Sequence, residues 1–233
     1  FSTLNFIKEI LRFNNKTINS YISPHLIKFN ERFEILDKIV TNDELYELLS
    51  EVKDVNQNQN ITFFEITTSA FFKIAADNSN ADYTLCEIGL GGEFDSVNVF
   101  KPTISVISSI SKDHKEFLSS DIRKIAAAKA GIIKKNIPVV IGYQPFDEAK
   151  KVLIDYAHSV EASTWIYGQD FFVIEEGEKI VYEDNDHKIK FDNFNNYSKF
   201  QVKNLGLAIA TCLQLYKIDV NGFELEVVKG MLS

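Results

Sequence analysis

The sequence predicts an α/β fold in which a mainly parallel sheet is flanked by helices and a small antiparallel β meander lies near residues 171–191. Short runs of β-branched residues alternate with helical periodicity between residues 83 and 167, a pattern typical of parallel sheets covered by helices. Apolar and polar residues then alternate around turn residues at 171–175, 179–183 and 188–191, as expected for antiparallel strands.

The first part of the chain predicts three helices and one strand. Thr62 and Glu65 form the clearest local signal, because a threonine followed three residues later by glutamate is a capping box that begins a helix. Leucines and isoleucines at helical spacing indicate the other two helices. The predicted helices cover 3–11, 42–52 and 62–76, and the strand covers 17–22 and runs into a loop at 23–26.

The later elements follow the alternation of strands and helices. Gly131 ends one helix, since glycine commonly follows the last helical residue. The final helix turns Leu205, Ile209, Cys212 and Leu213 towards the core. The predicted strands cover 83–88, 104–110, 138–141 and 164–167, and the helices cover 120–130, 146–160 and 202–216.

Composition and net charge indicate which classes of protein the chain can belong to. With 233 residues, of which 45% are hydrophobic, the chain can bury a core as one domain, and its apolar runs are too short for a membrane span. Cys86 and Cys212 lie in apolar segments and are interpreted as core thiols in a reducing, cytoplasmic compartment. A net charge of -8 argues against a nucleic-acid surface.

Three polar clusters follow predicted strands, at the edge of a parallel sheet where ligands bind. They are Ser23 with His25, Glu87, and Asp113 with His114. A hydroxyl, a carboxylate and an imidazole suit an ATP-bound Mg²⁺ better than zinc. The alternatives are a solvated or capping carboxylate at Glu87 and a hydrogen-bonded loop pair at Asp113 and His114.

The glycines after Glu87 do not form a dinucleotide-binding fingerprint. In "GLGGEF" a phenylalanine, Phe94, stands where the last small residue of that motif is required, and no helical pattern follows promptly. We expect the glycines to let the backbone turn sharply and approach a ligand, which aims Glu87 into the crevice.

Five segments carry a resemblance to a known family. In chain order they read "YISPHLIKFNERFEI", "FFEITTSAFF", "DYTLCEIGLGGEFDSVNV", "SVISSISKDHKEFL" and "IRKIAAAKAGIIKKNIPVVIG". Together they resemble the central domain of the folylpolyglutamate synthase and dihydrofolate synthase family, relatives of the Mur ligases, from about residue 2 to about residue 216. The resemblance implies a Mur ligase-like central ATPase domain over residues 1–233, related to P-loop NTPases.

The resemblance also implies roles for individual residues. Ser23, Glu87 and His114 resemble the magnesium ligands of the family, with His114 part of the catalytic set. Ser2 matches the last residue of the phosphate loop, and Asn204 matches an asparagine that contacts adenine. From the residues alone, Asn204 is equally an ordinary helix cap.

Lys129, in "AKAGI", matches the lysine that the family carbamylates. A carbamate is a carboxylate-like metal ligand, whereas an ammonium repels a metal ion. The alternative is a solvated lysine near a helix C-terminus, where the helix dipole favours a cation.

The implied reaction is an ATP-dependent ligation of L-glutamate to a folate or pteroate carboxylate through an acyl phosphate, with ATP and Mg²⁺ as cofactors. The "SPHL" and "NERF" segments favour this folate branch over ligases of peptidoglycan precursors. Substrates of the implied enzyme are therefore small molecules.

The chain departs from the family at both ends. Its first glycine is Gly89, so the glycine–lysine phosphate loop expected before Ser2 is missing, as is the strand that leads into it, and the sequence stops before the C-terminal ligase domain. Two hypotheses follow: the central part of an active ligase, or an inactive truncated or split remnant that acts at most as a binding module. We expect no ligation by these residues alone in an ATP- and glutamate-dependent assay, and self-association through an exposed apolar face.

Overall fold

The computed structural model describes residues 1–111, 121–192 and 198–216. The helices are α1 Ser2–Phe13, α2 Asn42–Asn56, α3 Phe63–Asp77, α4 Ile122–Ala130, α5 Asp147–Ser159 and α6 Lys199–Tyr216. The strands are β1 Ile18–Tyr21, β2 Phe33–Ile35, β3 Lys38–Ile39, β4 Tyr83–Cys86, β5 Ser105–Ile107, β6 Val139–Ile141, β7 Thr164–Ile166, β8 Phe171–Glu176, β9 Lys179–Asp184 and β10 Lys188–Asp192.

The described strands form three sheets. The first has the order β3-β2-β1-β4, in which β1 and β4 are parallel and β2 and β3 form an antiparallel hairpin. The second, β5-β6-β7, is parallel throughout, and the third, β10-β9-β8, is the antiparallel meander. The predicted α/β fold class and its meander are confirmed.

The hairpin of β2 and β3 was not predicted. Its turn residues, Leu36 and Asp37, have φ angles of 48° and 65°. Tight hairpin turns with two positive φ angles are normally marked by Asn-Gly or Asp-Gly. Because Leu36 occupies the first of these positions, the sequence lacks this turn motif.

The capping box predicted at the start of α3 is present in the structure. The Thr62 hydroxyl accepts the Glu65 N–H at 3.2 Å, while the Glu65 carboxylate accepts the Thr62 N–H at 2.8 Å, as the predicted capping box requires. Helix α2 uses the same device through Thr41 and Glu44, one residue before the predicted start. Each box satisfies N–H groups that the first turn leaves without partners.

The core is divided among the three sheets. Helix α6 packs against α1 and β8, with Leu205, Ile209 and Cys212 fully buried. Both cysteines are free, and burial raises the pKa of the Cys86 thiol to about 12, which leaves it unreactive as a core thiol. Within the described ranges, no helix is both long and apolar enough to cross a membrane.

Candidate functional site

A cavity of about 780 Å³ opens between β4 and β5. Consecutive residues of β4 and of β5 form two of its walls, and the amino-terminal turn of α1 forms a third. Lys129 from α4 and Asn204 from α6 complete the lining. Five elements that are distant in sequence therefore meet at one place.

Glu87 lines this cavity, and Ser23 lies beside Glu87. Because β1 and β4 are parallel neighbours with Tyr21 opposite Cys86, the residues that follow the two strands emerge together. The Glu87 carboxylate accepts the Ser23 N–H at 3.1 Å and forms an ion pair with the Phe1 ammonium group. The hydroxyl oxygen of Ser23 is buried and has no hydrogen-bond partner within the described part of the chain.

These contacts bear on the predicted metal site. The Glu87 carboxylate and the Ser23 Oγ, which has no hydrogen-bond partner among the described residues, offer oxygen ligands on neighbouring strand ends. His114 and its neighbour Asp113 lie outside the described residues. Within the described part of the chain, no three His, Cys, Asp or Glu side chains form a metal-binding group, so a site here depends on the serine and on residues beyond that part.

His25 takes a different position from Ser23. Its Nδ1 accepts a hydrogen bond from Arg32 Nε at 3.1 Å, and its ring meets the edge of Phe29 at 5.6 Å. It is not among the residues that line the cavity.

The glycine turn after Glu87 packs directly on α4. Gly91 has a φ angle of 69°, which a side chain would strain. A Cβ at Gly92 would lie 2.6 Å from the Ala128 carbonyl oxygen and 3.0 Å from the Lys129 Cα. The next residue, Glu93, donates its N–H to the Ala128 carbonyl at 2.9 Å. The glycines thus let the turn dock on the backbone beside Lys129.

Gly92→Ala is expected to destabilise the fold by about 3 kcal/mol, because the two nearest atoms are backbone atoms that cannot rotate away. Gly177→Ala is the matched control, because its added Cβ meets nothing within 4 Å. Only the backbone strain at its φ of 65° should lower the stability, by about 1 kcal/mol. Urea unfolding of both variants measures the difference. Equal losses would contradict the tight docking of the turn.

Lys129 is largely withdrawn from water and lines the cavity. Burial lowers the pKa of its ammonium group, and the charge of Asp95 opposes this only partly. Among the described residues, no carboxylate forms a salt bridge with it. The interpretation of Lys129 as a solvated surface lysine is therefore wrong, because the docked glycine turn covers the end of α4.

Ser2 and Asn204 both line the cavity. Ser2 is the first residue of α1, whose N-terminus has no side-chain cap. Helix α6 begins at Lys199, three residues before its predicted start, and the Ser198 hydroxyl accepts the Gln201 N–H at 3.4 Å. Asn204 consequently lies beyond the first turn, and its interpretation as a helix cap is wrong.

Residues 32–212 match the Mur ligase middle domain. The chain belongs to the Mur ligase family. It is 32% identical over 223 residues to the folylpolyglutamate synthase of Lacticaseibacillus casei, an alignment that covers 90% of this chain and 51% of that protein. It is 38% identical over 145 residues to the dihydrofolate synthase/folylpolyglutamate synthase of Bacillus subtilis (strain 168), covering 60% of this chain and 34% of that protein.

A solved folylpolyglutamate synthase in complex with AMPPCP and folate has a similar fold, with a TM-score of 0.84 and 26% sequence identity. The match covers 98% of this chain and 60% of that structure. The chain thus spans about half of the L. casei relative and a third of the B. subtilis one. The expected resemblance to the folylpolyglutamate synthase family is confirmed.

Two residues that support this site were not predicted from the sequence. The Asp95 carboxylate holds the glycine turn by accepting the N–H groups of Leu90 at 2.8 Å and Val97 at 2.9 Å. The buried Gln144 accepts the Ile110 N–H at 3.1 Å and donates to the Ser108 carbonyl at 3.0 Å. These two hydrogen bonds fix the segment that leads from β5 towards His114. The only signal for this role in the sequence is that Gln144 follows an apolar strand.

Proposed function

We propose that this chain forms the ATP-binding part of a ligase that joins L-glutamate to the carboxylate of a folate or pteroate. The observation that carries the proposal is the convergence of Ser2, Glu87, Lys129 and Asn204 on one cavity. The names of the relatives, and the AMPPCP and folate bound to the related solved enzyme, support this choice of substrates.

The amino-terminal turn of α1 provides the anion-binding part of the proposed site. Its first N–H groups have no intrahelical acceptor, and no side chain caps them. Such groups favour phosphate oxygens through both hydrogen bonds and the helix dipole. In the proposal the Ser2 hydroxyl joins them, while Asn204, which also lines the cavity, contacts the adenine base.

Magnesium is the metal that fits the oxygen-rich end of the cavity. Glu87, the Ser23 hydroxyl and His114 would hold it, and the Ser23 Oγ, buried and without a hydrogen-bond partner among the described residues, supports a ligand at this position. When bound, the ion supplies positive charge that stabilises the phosphoryl group in transfer.

The proposed reaction forms an amide in two steps. A carboxylate oxygen of the folate or pteroate attacks the γ-phosphorus of ATP, the bond to the β-phosphate oxygen breaks, and ADP leaves. The amine of glutamate then attacks the acyl carbon and loses a proton as phosphate departs. The cavity walls would contribute by aligning the reactants and excluding water.

Lys129 is proposed to carry a carbamate. Its neutral amine would attack the carbon of CO₂ and release one proton, which leaves a negatively charged group on the same stem. Because burial lowers the pKa of Lys129, a larger fraction of this amine is neutral at a given pH than for an exposed lysine. The resulting charge would support the metal ligands.

Lys129→Met is expected to weaken Mn²⁺-dependent ATP binding about 10- to 100-fold, measured by titration calorimetry in bicarbonate buffer. The same change should stabilise the fold by on the order of 1 kcal/mol, since it removes a desolvated ammonium without a carboxylate partner. Lys124→Met, an exposed position on the same helix, is the control and should alter neither quantity. Unchanged ATP binding in Lys129→Met would overturn the proposed role.

The same titration separates the ligase from its alternatives. In the full-length protein, tight ATP binding without ligation of glutamate would favour a binding module, and ligation of a peptidoglycan precursor would favour the other branch of the Mur ligases. A cytoplasmic location and self-association through an exposed apolar face belong to the proposal. Sedimentation of the purified chain tests the self-association.

A further inference from the structure

The carbonyl groups at the end of α4 receive hydrogen bonds from a loop that lies more than 30 residues earlier in the sequence. The last carbonyls of an α-helix have no donor within the helix. Here the Ala128 carbonyl accepts the Glu93 N–H at 2.9 Å, and the Gly131 carbonyl accepts the Asn98 Nδ2 at 3.1 Å. The loop that follows the glycine turn therefore provides a C-terminal cap for α4.

Asn98 holds both sides of this contact. Its Nδ2 donates to the Glu93 carbonyl at 3.1 Å, within the loop, and to the Gly131 carbonyl at 3.1 Å, on the helix. The backbone carbonyl of Asn98 accepts the Lys134 Nζ at 3.3 Å. A carboxamide nitrogen carries two N–H donors, whereas a serine hydroxyl has one and an ionised aspartate has none. Two carbonyl acceptors thus require an amide at this position.

The loop and the helix are in close backbone contact around these hydrogen bonds. A Cβ at Gly131 would lie 2.4 Å from the Glu93 Cβ and 2.6 Å from its Cα. On the other side of Lys129, Gly92 approaches the Ala128 carbonyl oxygen with the same closeness. Neither contact leaves room for a water molecule. Any release of the loop would therefore open the surface of α4 beside Lys129.

The docked loop also changes the surroundings of the Lys129 amine. A lysine near a helix C-terminus is normally stabilised by the free carbonyls of the last turn. The loop occupies two of these carbonyls, those of Ala128 and Gly131. Lys129 and Asn98 both line the cavity. The amine is thus covered by the same loop that takes up its usual hydrogen-bond acceptors.

We propose that Asn98 is a positioning residue, whose carboxamide clamps the loop of residues 89–98 onto α4 and thereby keeps Lys129 covered in the wall of the cavity. In this role Asn98 acts through Lys129 and needs no contact with ATP or with the other substrates. The clamp itself is independent of the ligase activity, whereas its effect on ATP binding rests on the proposed function.

Asn98→Asp in the full-length protein tests the clamp. The substitution preserves the size of the side chain, removes both N–H donors and places a negative charge against two carbonyl oxygens. Asn78→Asp is the matched control, because the Asn78 Nδ2 also donates to a carbonyl near a helix end, that of Ile74 in α3, at 2.8 Å. Each variant loses a hydrogen bond at a helix C-terminus, but only Asn98→Asp releases the loop over Lys129.

Access to Lys129 is measured by brief labelling with the acetyl and the biotinyl ester of N-hydroxysuccinimide, followed by peptide mass spectrometry. Both reagents react with the neutral amine, so the ratio of biotinyl to acetyl labelling cancels any change in protonation and measures access for the bulkier reagent. Lys8 and Lys124 are internal references. The Lys8 side chain is 14% exposed and pairs with Glu34, whereas Lys124 is exposed on α4 itself.

We expect the ratio at Lys129 to rise at least about tenfold in Asn98→Asp and to stay within about twofold of the parent in Asn78→Asp. The ratios at Lys8 and Lys124 should change less than about twofold in both variants. An unchanged ratio at Lys129 would overturn the clamp, and an equal rise at Lys8 would also contradict it by showing a general loosening of the fold. Titration with ATP and Mn²⁺ separates the two proposals: a raised ratio with unchanged ATP affinity would confirm the clamp and refute the proposed role of Lys129.

Discussion

Glu87→Gln is expected to weaken Mn²⁺-dependent ATP binding on the order of 100-fold. The Glu87 side chain is only 20% exposed and accepts the N–H of Ser23, which carries another of the proposed ligands. Removing the charge of a largely buried carboxylate that would bind the metal costs about 2–5 kcal/mol, which corresponds to such a loss of affinity. The amide keeps the size of the carboxylate, so the variant should fold as the parent does. Titration calorimetry with ATP and Mn²⁺ measures the effect.

Glu93→Gln is the control for this substitution. Glu93 belongs to the same loop, but its side chain is exposed and its hydrogen bond to α4 comes from the backbone N–H. The substitution removes the same charge from a side chain that does not line the cavity. We therefore expect an affinity for ATP and Mn²⁺ within twofold of the parent. Equal losses in the two variants would show a general effect of net charge and would contradict a specific role for Glu87.

Glu34→Leu is expected to destabilise the fold by about 3–5 kcal/mol. The Glu34 side chain is 8% exposed, accepts hydrogen bonds from Lys8 at 2.8 Å and Ser20 at 2.9 Å, and pairs with Arg12. The substitution leaves the Lys8 and Arg12 charges partly buried without this carboxylate, the most costly way to break a buried ion pair. Burial already lowers the pKa of the Lys8 ammonium group. Urea unfolding measures the loss.

Two further variants identify the cause of that loss. Glu9→Leu removes an exposed carboxylate that also pairs with Arg12, at 2.8 Å, and should cost less than about 1 kcal/mol. The double variant Lys8→Met with Glu34→Leu should recover part of the stability, because an apolar pair replaces a buried ionic one. A Glu34→Leu loss no larger than that of Glu9→Leu would show that the cluster does not hold α1 on the sheet.

Local patterns were sufficient for most of the secondary structure. The capping box at Thr62 and Glu65 was identified correctly because its donors and acceptors lie within three residues of one another. The strand ends were less accurate: β4 stops at Cys86, two residues before the predicted end, because pairing with β1 stops there. A strand boundary depends on its neighbour, and sequence periodicity does not contain that information.

The site was predicted in part by the same local reasoning. Ser23 and Glu87 were expected together because each follows a strand, and their contact confirms that geometry. Their role as ligands remains a prediction. The burial of Lys129 could not be predicted locally, because the turn that covers it comes from residues about 40 positions earlier. Asp95 and Gln144 were missed for a similar reason, since a side chain that bonds only to backbone leaves no motif.

The sequence by itself determined the class of fold, the order of the helices and of the strands other than β2 and β3, and the family to which the chain belongs. These depend on periodicity, caps and motifs, which are properties of neighbouring residues. The tertiary structure alone decided that the start of α1 lies beside Glu87, that Lys129 is largely withdrawn from water, and that β4 and β5 face one another across a space of about 780 Å³. Each of these depends on which distant segments pack together, and packing sets the desolvation and the backbone pairing of every group in the site.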